Sequence, residues 1–155
     1  MNSMYGRAMA SILVGALAVG AGSFGAAEEP AKDPVKARHD LMEGVQDGLM
    51  AVAAIAKGEA AFDAAVVSEN AGKIADNLAA ASKLFPEGSE KGTIPSRAKA
   101  EVWSQRAGFD AGMKAAIAAA TALKAVTDEA ALKPALGALG ARCKECHETY
   151  RMPEE

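Results

Sequence analysis

Apolar residues recur along this chain in steps of three and four, the spacing of one face of an α-helix, and they do so in four separate blocks. The first carries Val35, Arg38, Met42, Val45, Leu49, Val52 and Ala56. Asp33-Pro34 stands at its start, a capping residue followed by proline at the first helical position, so a helix is predicted over about 34–56. Lys57-Gly58-Glu59 interrupts the pattern, and Asp63 opens a second helix over about 63–83 through Val67, Ile74, Leu78 and Ala81. Asn70 and Asn77 read as polar residues on that helix's face. Pro86 to Ser96, with Gly88, Gly92 and Pro95, is the one long loop. A heptad series at Val102, Phe109, Ala116 and Leu123, joined by Arg106, Met113 and Ala120, predicts a third helix over about 97–125. Asp128 and Glu129 open the fourth, over about 128–151, with Leu132, Leu136, Leu139, Cys143, Cys146 and Tyr150 in three-four alternation. Pro134 is its irregularity: unless the helix begins close to Lys133, it kinks there or leaves a short separate turn.

No run alternates polar and apolar residues over the length of a strand. Four amphipathic helices joined by mostly short links imply an all-α protein, an antiparallel up-down-up-down four-helix bundle. Trp103 reads as packing at a helix interface, and Met50 and Met113 as packing residues. Two residues are odd for a core stripe: Arg38 places a charge on it, and Met42 lies one turn further in.

Composition adds a leader and excludes one class of partner. Residues 1–27 read as a secretory signal peptide, with Arg7 as the positive region, an apolar stretch rich in small residues from Ala8, and Gly25-Ala26-Ala27 as the cleavage site. That stretch is short of the roughly 20 strongly apolar residues a membrane span requires, so no membrane attachment is expected once it is removed. The remaining 28–155 suit a single domain. The formal charge is −3 and there is no basic patch, which argues against a nucleic-acid partner.

The candidate chemistry is concentrated near the C-terminus. Cys143-Lys144-Glu145-Cys146-His147 contains both cysteines and one of the two histidines. The C-x-x-C-H spacing is that of covalent c-type haem attachment: two thiols add to the haem vinyl groups, and the next residue offers an imidazole to the iron. On a helix the three residues fall at i, i+3 and i+4, on one face. A C-x-x-C redox disulfide and a structural zinc site are the competing readings. The first belongs near a βαβ pattern that is absent here, and the second lacks ligands beyond His39. One covalently attached haem c is therefore the expected cofactor, which also agrees with export to the periplasm. On the residues alone Met42 is either a gap-filling core methionine or an axial ligand, and His39, three residues earlier, is the rival ligand that the stripe turns toward solvent or the flank.

An exported precursor of four helices with C-x-x-C-H on the last one resembles the cytochrome c-prime family, the class II c-type cytochromes. The likeness extends over roughly 34–151. It includes Arg38 with Met42, the Ala56-Lys57-Gly58-Glu59 turn with Phe62-Asp63, Glu101-Val102-Trp103, and Gly140-Ala141-Arg142-Cys143 through Tyr150-Arg151. The resemblance implies thioether bonds at Cys143 and Cys146, His147 as proximal ligand, Arg38 beside a haem propionate and Arg151 on the proximal side. Methionine at position 42 resembles the low-spin branch, in which it is the sixth ligand; the high-spin branch has a non-ligating apolar residue there. Tyr150 and Phe109 are expected to line the site.

Two protein ligands on the iron leave no vacant position for substrate. The expected function is a periplasmic mono-haem, one-electron carrier with His147/Met42 ligation, serving redox partner proteins and not acting as an enzyme. The alternative is a five-coordinate cytochrome that binds nitric oxide or carbon monoxide. Family members often pair through their first two helices, so a homodimer of that kind is a further expectation. The outer faces carry Lys36, Asp40, Glu43 and Asp47 and show no large apolar patch.

Overall fold

Three of the helices start where an aspartate side chain satisfies their unpaired amide groups. In the computed structural model, which describes residues 32–153, Asp33 caps α1 (Pro34–Lys57) by accepting from the amides of Val35 and Lys36. Asp63 does the same for Ala65 and Val66 at the start of α2 (Ala64–Ser82), and Asp128 for Ala131 at the start of α5 (Glu129–Tyr150). Gly58 ends α1 in the left-handed region at φ 79°, its amide reaching the carbonyls of Ala54 and Ile55. The proposed export segment 1–27 lies outside the described residues.

The long helices form an antiparallel bundle in which α1 packs on α2, α2 on α4 (Arg106–Lys124) and α4 on α5. The fourth side is different. There α1 and α5 meet over a much smaller contact than the other neighbouring pairs. Ile74, Leu123, Leu132, Val52, Val67 and Val102 are among the fully buried side chains of the single core. No described helix is long and apolar enough to cross a membrane.

The third predicted helix, 97–125, is corrected in two ways. Residues 97–100 are not helical, because Ala98 forms an antiparallel bridge with Arg151. The helix is also broken at Gln105 (φ −115°, ψ 41°), which separates the short α3 (Glu101–Ser104) from α4. Val102 and Phe109 are both buried across that break, so the apolar period gives no sign of it. Arg106 leaves the inward stripe: it is exposed, pairs with Asp110 at 2.8 Å and donates to the carbonyl of Phe85 at 2.7 Å. Pro134 produces no separate turn. It sits in the second turn of a continuous α5, where the bond it removes is to the carbonyl of Ala130, an exposed residue.

Close approach of α1 and α2 depends on two glycines one turn apart. A β-carbon at Gly48 would stand 2.8 Å from Cγ1 of Ile74 and 3.2 Å from the backbone oxygen of Asn70, and one at Gly44 would stand 2.5 Å from Nδ2 of Asn77. Gly137 of α5, by contrast, faces open space. Gly48→Ala should therefore cost about 1–3 kcal/mol, because two helix backbones must separate. Gly137→Ala should raise stability by about 0.5–1 kcal/mol through helix propensity. Thermal unfolding of the two holoprotein variants checks both signs, and a Gly48→Ala protein as stable as wild type would contradict the close packing.

Asp33 also holds the long loop, which in the structure is the connection 83–100 between α2 and α3, accepting from the hydroxyl and the amide of Thr93. The Thr93 hydroxyl, followed by the amides of Lys36, Thr93 and Val35, lowers its pKa from 3.8 to about 2. A depressed carboxylate contributes stability that is fully present above its unfolded value and lost as pH falls through the folded one. The thermal midpoint should consequently fall between about pH 4 and about pH 2, and Asp33→Asn should make that fall shallower. An unchanged acid limb in Asp33→Asn would refute the assignment.

Candidate functional site

The three residues of the haem motif lie in the last two turns of α5. Cys143 and Cys146 are half-buried and not joined to each other, and His147 is exposed. Burial pushes both thiols above their ordinary values, with Cys143 adding to the effect at Cys146, so at neutral pH they are protonated. His147 moves the opposite way. Partial burial and then the positive charges of Arg151 and Arg97 lower its pKa, which keeps the imidazole neutral and a ring lone pair available.

The cations beside His147 are placed by the short antiparallel pairing at the end of α5. The amide of Lys99 donates to the carbonyl of Tyr150 at 2.9 Å, and that of Met152 to Arg97 at 2.8 Å. Lys99 Nζ adds a bond to the carbonyl of Glu148 at 2.8 Å, and Arg97 Nη2 one to Met152 at 2.9 Å. This ties down the last turn of the motif helix. Arg151 was expected here; Arg97 was not, because it enters through a strand-like bridge that helical periodicity does not register.

Beside Cys146 a depression of about 300 Å³ opens between α4 and α5, floored by Ala111, Gly112 and Ala115 and bounded by Tyr150. Ion pairs of Arg142 with Glu145 (2.8 Å) and Lys144 with Glu148 (3.7 Å) lie along α5.

On α1, Met42 is half-buried against the core. His39 is exposed, with Nδ1 3.7 Å from Glu43 and 3.9 Å from Asp40. It joins an acidic surface in which Lys36 already pairs with Asp40 at 2.6 Å.

Arg38, one turn before Met42, is buried at 6% exposure. Its guanidinium donates to the carbonyls of Leu84 (3.1 Å) and Ser89 (2.9 Å) and to the hydroxyls of Ser96 (2.9 Å) and Ser89 (3.4 Å). The rings of Phe85 and Trp103 lie 4.7 and 5.9 Å from it. Every one of these acceptors is neutral, and among the described residues no carboxylate forms a salt bridge with it. Burial accordingly lowers its pKa.

A haem-attachment motif on the last helix of an antiparallel four-helix bundle defines a helical-bundle c-type cytochrome. The chain belongs to the cytochrome c' family, whose model matches residues 33–151. It is similar to cytochrome c-556 of Agrobacterium fabrum (37% identical over 148 residues, 92% of each chain). It is also similar to cytochrome c' of Rhodopseudomonas palustris (35% over 120 residues, 77% of this chain and 82% of the relative). Among solved structures, cytochrome c' from Rhodopseudomonas palustris superposes with a TM-score of 0.75 at 33% identity, covering 81% of this chain and all of that one (100%). A nitric oxide complex of a mutant cytochrome c prime from Alcaligenes xylosoxidans superposes at 0.71 with 29% identity, covering 79% and 95%. The up-down bundle has cytochrome c' as one of its reference examples.

Members of this family carry one covalently attached haem c, and so does this protein. The donor set suits that group: two unjoined thiols and a neutral imidazole share a helix face, α1 and α5 meet only lightly, and a buried guanidinium lacks an anion. Arg38→Ala should leave the Leu84 and Ser89 carbonyls without their donor and cost about 1–3 kcal/mol. Amide exchange across 84–96 should quicken in that variant; exchange confined to wild-type rates would show that the loop stands without Arg38.

Proposed function

We propose that the protein is a periplasmic one-electron carrier whose haem is bonded to Cys143 and Cys146, with His147 and Met42 as axial ligands. The observation that carries this reading is Met42 itself: a thioether on the inner side of α1, the helix that faces the motif helix across the lightly packed side of the bundle. When bound, the haem supplies an iron that gains and loses one electron.

The residues around it have separable tasks. The thioether bonds make the cofactor permanent. His147 offers a neutral nitrogen because burial and the two arginines disfavour its protonated form. Met42 offers a sulfur from a helix packed on α2, and with two protein ligands in place the oxidation state changes with little rearrangement. Arg38, buried without an anion, is suited to a haem propionate, and Arg151 adds positive charge on the proximal side. Residues 1–27 direct export and leave 28–155 as the mature domain. The partners are redox proteins, and a homodimer through α1 and α2 belongs to the same reading, since exposed Met50 and Val66 lie on those helices.

A second reading has its own observation. The similar protein from Alcaligenes xylosoxidans is seen, as a mutant, with nitric oxide bound. If Met42 packs without ligating, this chain would take up nitric oxide or carbon monoxide on the same side.

Absorption spectra of ferric and ferrous holoprotein with and without carbon monoxide separate the two. The carrier should be six-coordinate, low-spin and nearly inert to the gas, whereas a ferrous high-spin spectrum shifted at once by carbon monoxide would overturn it. Met42→Ala should convert the first behaviour into the second. If Met42→Ala leaves a low-spin wild-type spectrum intact, Met42 is a packing residue and His39→Ala tests the remaining ligand.

A further inference from the structure

Four aromatic rings stand edge to face in a row that runs from α5 through α4 and the long loop to α3. Tyr150, in the last turn of α5, meets Phe109 of α4 with ring centroids 5.4 Å apart. Phe109 meets Phe85 of the long loop at 4.7 Å, and Phe85 meets Trp103 of α3 at 6.3 Å. Phe62 is the only other aromatic residue among the described ones. The two middle rings are buried, while Trp103 and Tyr150 at the ends are only partly so. One end therefore adjoins the haem motif, where Tyr150 borders the same depression as Cys146. The other end reaches the surface at Trp103.

The row is held more firmly than ring packing requires. Trp103 Nε1 donates to the carbonyl of Pro86 at 2.9 Å, which fixes the outer ring. Arg38 lies 4.7 Å from the Phe85 ring and 5.9 Å from that of Trp103, and Arg106 lies 5.9 Å from that of Phe109. A nearby cation makes it harder to remove an electron from a ring. Phe85, Phe109 and Trp103 are thus harder to oxidise, while successive ring centroids along the row stay within 6.3 Å of each other.

We propose that this row is the route by which an electron passes between the haem and an external one-electron donor or acceptor, with Trp103 as its surface terminus. The proposal rests on the reading that Cys143, Cys146 and His147 hold the haem on α5. In the reducing direction the donor loses one electron and the haem iron passes from Fe(III) to Fe(II). No bond forms or breaks, no proton moves, and the rings bridge the transfer without being oxidised themselves.

The haem occupies both native thiols, so a Glu87→Cys holoprotein has a single reactive thiol beside Pro86, where a ruthenium polypyridyl photosensitiser can be attached. A second holoprotein, Glu69→Cys, carries the same label on α2 as a control. Laser flash photolysis then gives the rate of haem reduction from each label. Trp103→Leu should slow transfer from position 87 several-fold, Trp103→Phe should restore most of it, and transfer from position 69 should not change. Far-UV circular dichroism and the haem spectrum confirm that each variant is folded and loaded. An unchanged rate from position 87 in Trp103→Leu overturns the route, as does equal slowing from both labels, which would place the effect at the haem. A haem that neither label reduces in the protein with Trp103 intact would refute the carrier function itself.

Discussion

The constraint on which this structure depends is that the bundle is closed by strong packing on three sides and left weakly closed on the fourth. Gly44 and Gly48 bring α1 against α2, and α2–α4 and α4–α5 bury the rest of the core. The α1–α5 side has no comparable contact of its own. The proposed iron site draws on the two helices of this weak pair, the thiols and imidazole from α5 and the methionine from α1. A haem seated between these helices, as proposed, would be a core element, and the apolar surface it removed from water would belong to the stability of the fold as much as to its chemistry.

The long loop has a place in the same scheme. Its carbonyls at Leu84, Phe85, Pro86 and Ser89 accept from Arg38, Arg106 and Trp103, side chains of three different helices. Asp33 fixes the far end through Thr93. A loop of this length would ordinarily be loosely held, yet here it is bonded at several points by cations and an indole. The result is that Phe85 is delivered into the core between Trp103 and Phe109, and that Arg38 remains buried without an anionic partner.

Much of this was legible in the sequence because helices announce themselves by period. The stripes of α1 and α2, the caps at Asp33, Asp63 and Asp128, and the inward placing of Arg38 follow from three-four spacing and the needs of helix ends. The haem motif was legible for a different reason, since its chemistry fixes its spacing. What escaped were features made between distant segments. The break at Gln105 keeps Val102 and Phe109 in phase, so periodicity runs straight through it. Arg106 satisfies the period but turns outward to reach Asp110 and the Phe85 carbonyl. Arg97 comes beside His147 only because Ala98 pairs with Arg151, and the acceptors of Arg38 lie 46 to 58 residues along the chain.

The weak side of the bundle joins the first helix to the last, and this sets the order in which the molecule assembles. Helices α4 and α5 are linked by a few residues and meet at small entropic cost, whereas α1 and α5 close a loop of nearly the whole domain. On loop-closure grounds the α5 half of the proposed site would take shape on local contacts, and Met42 would join it through the longest-range closure. An iron held by His147 would pass through a state with its sixth position open each time the chain folds. With Met42 as the proposed sixth ligand, a five-coordinate and a six-coordinate iron would then be successive stages in the folding of this one protein.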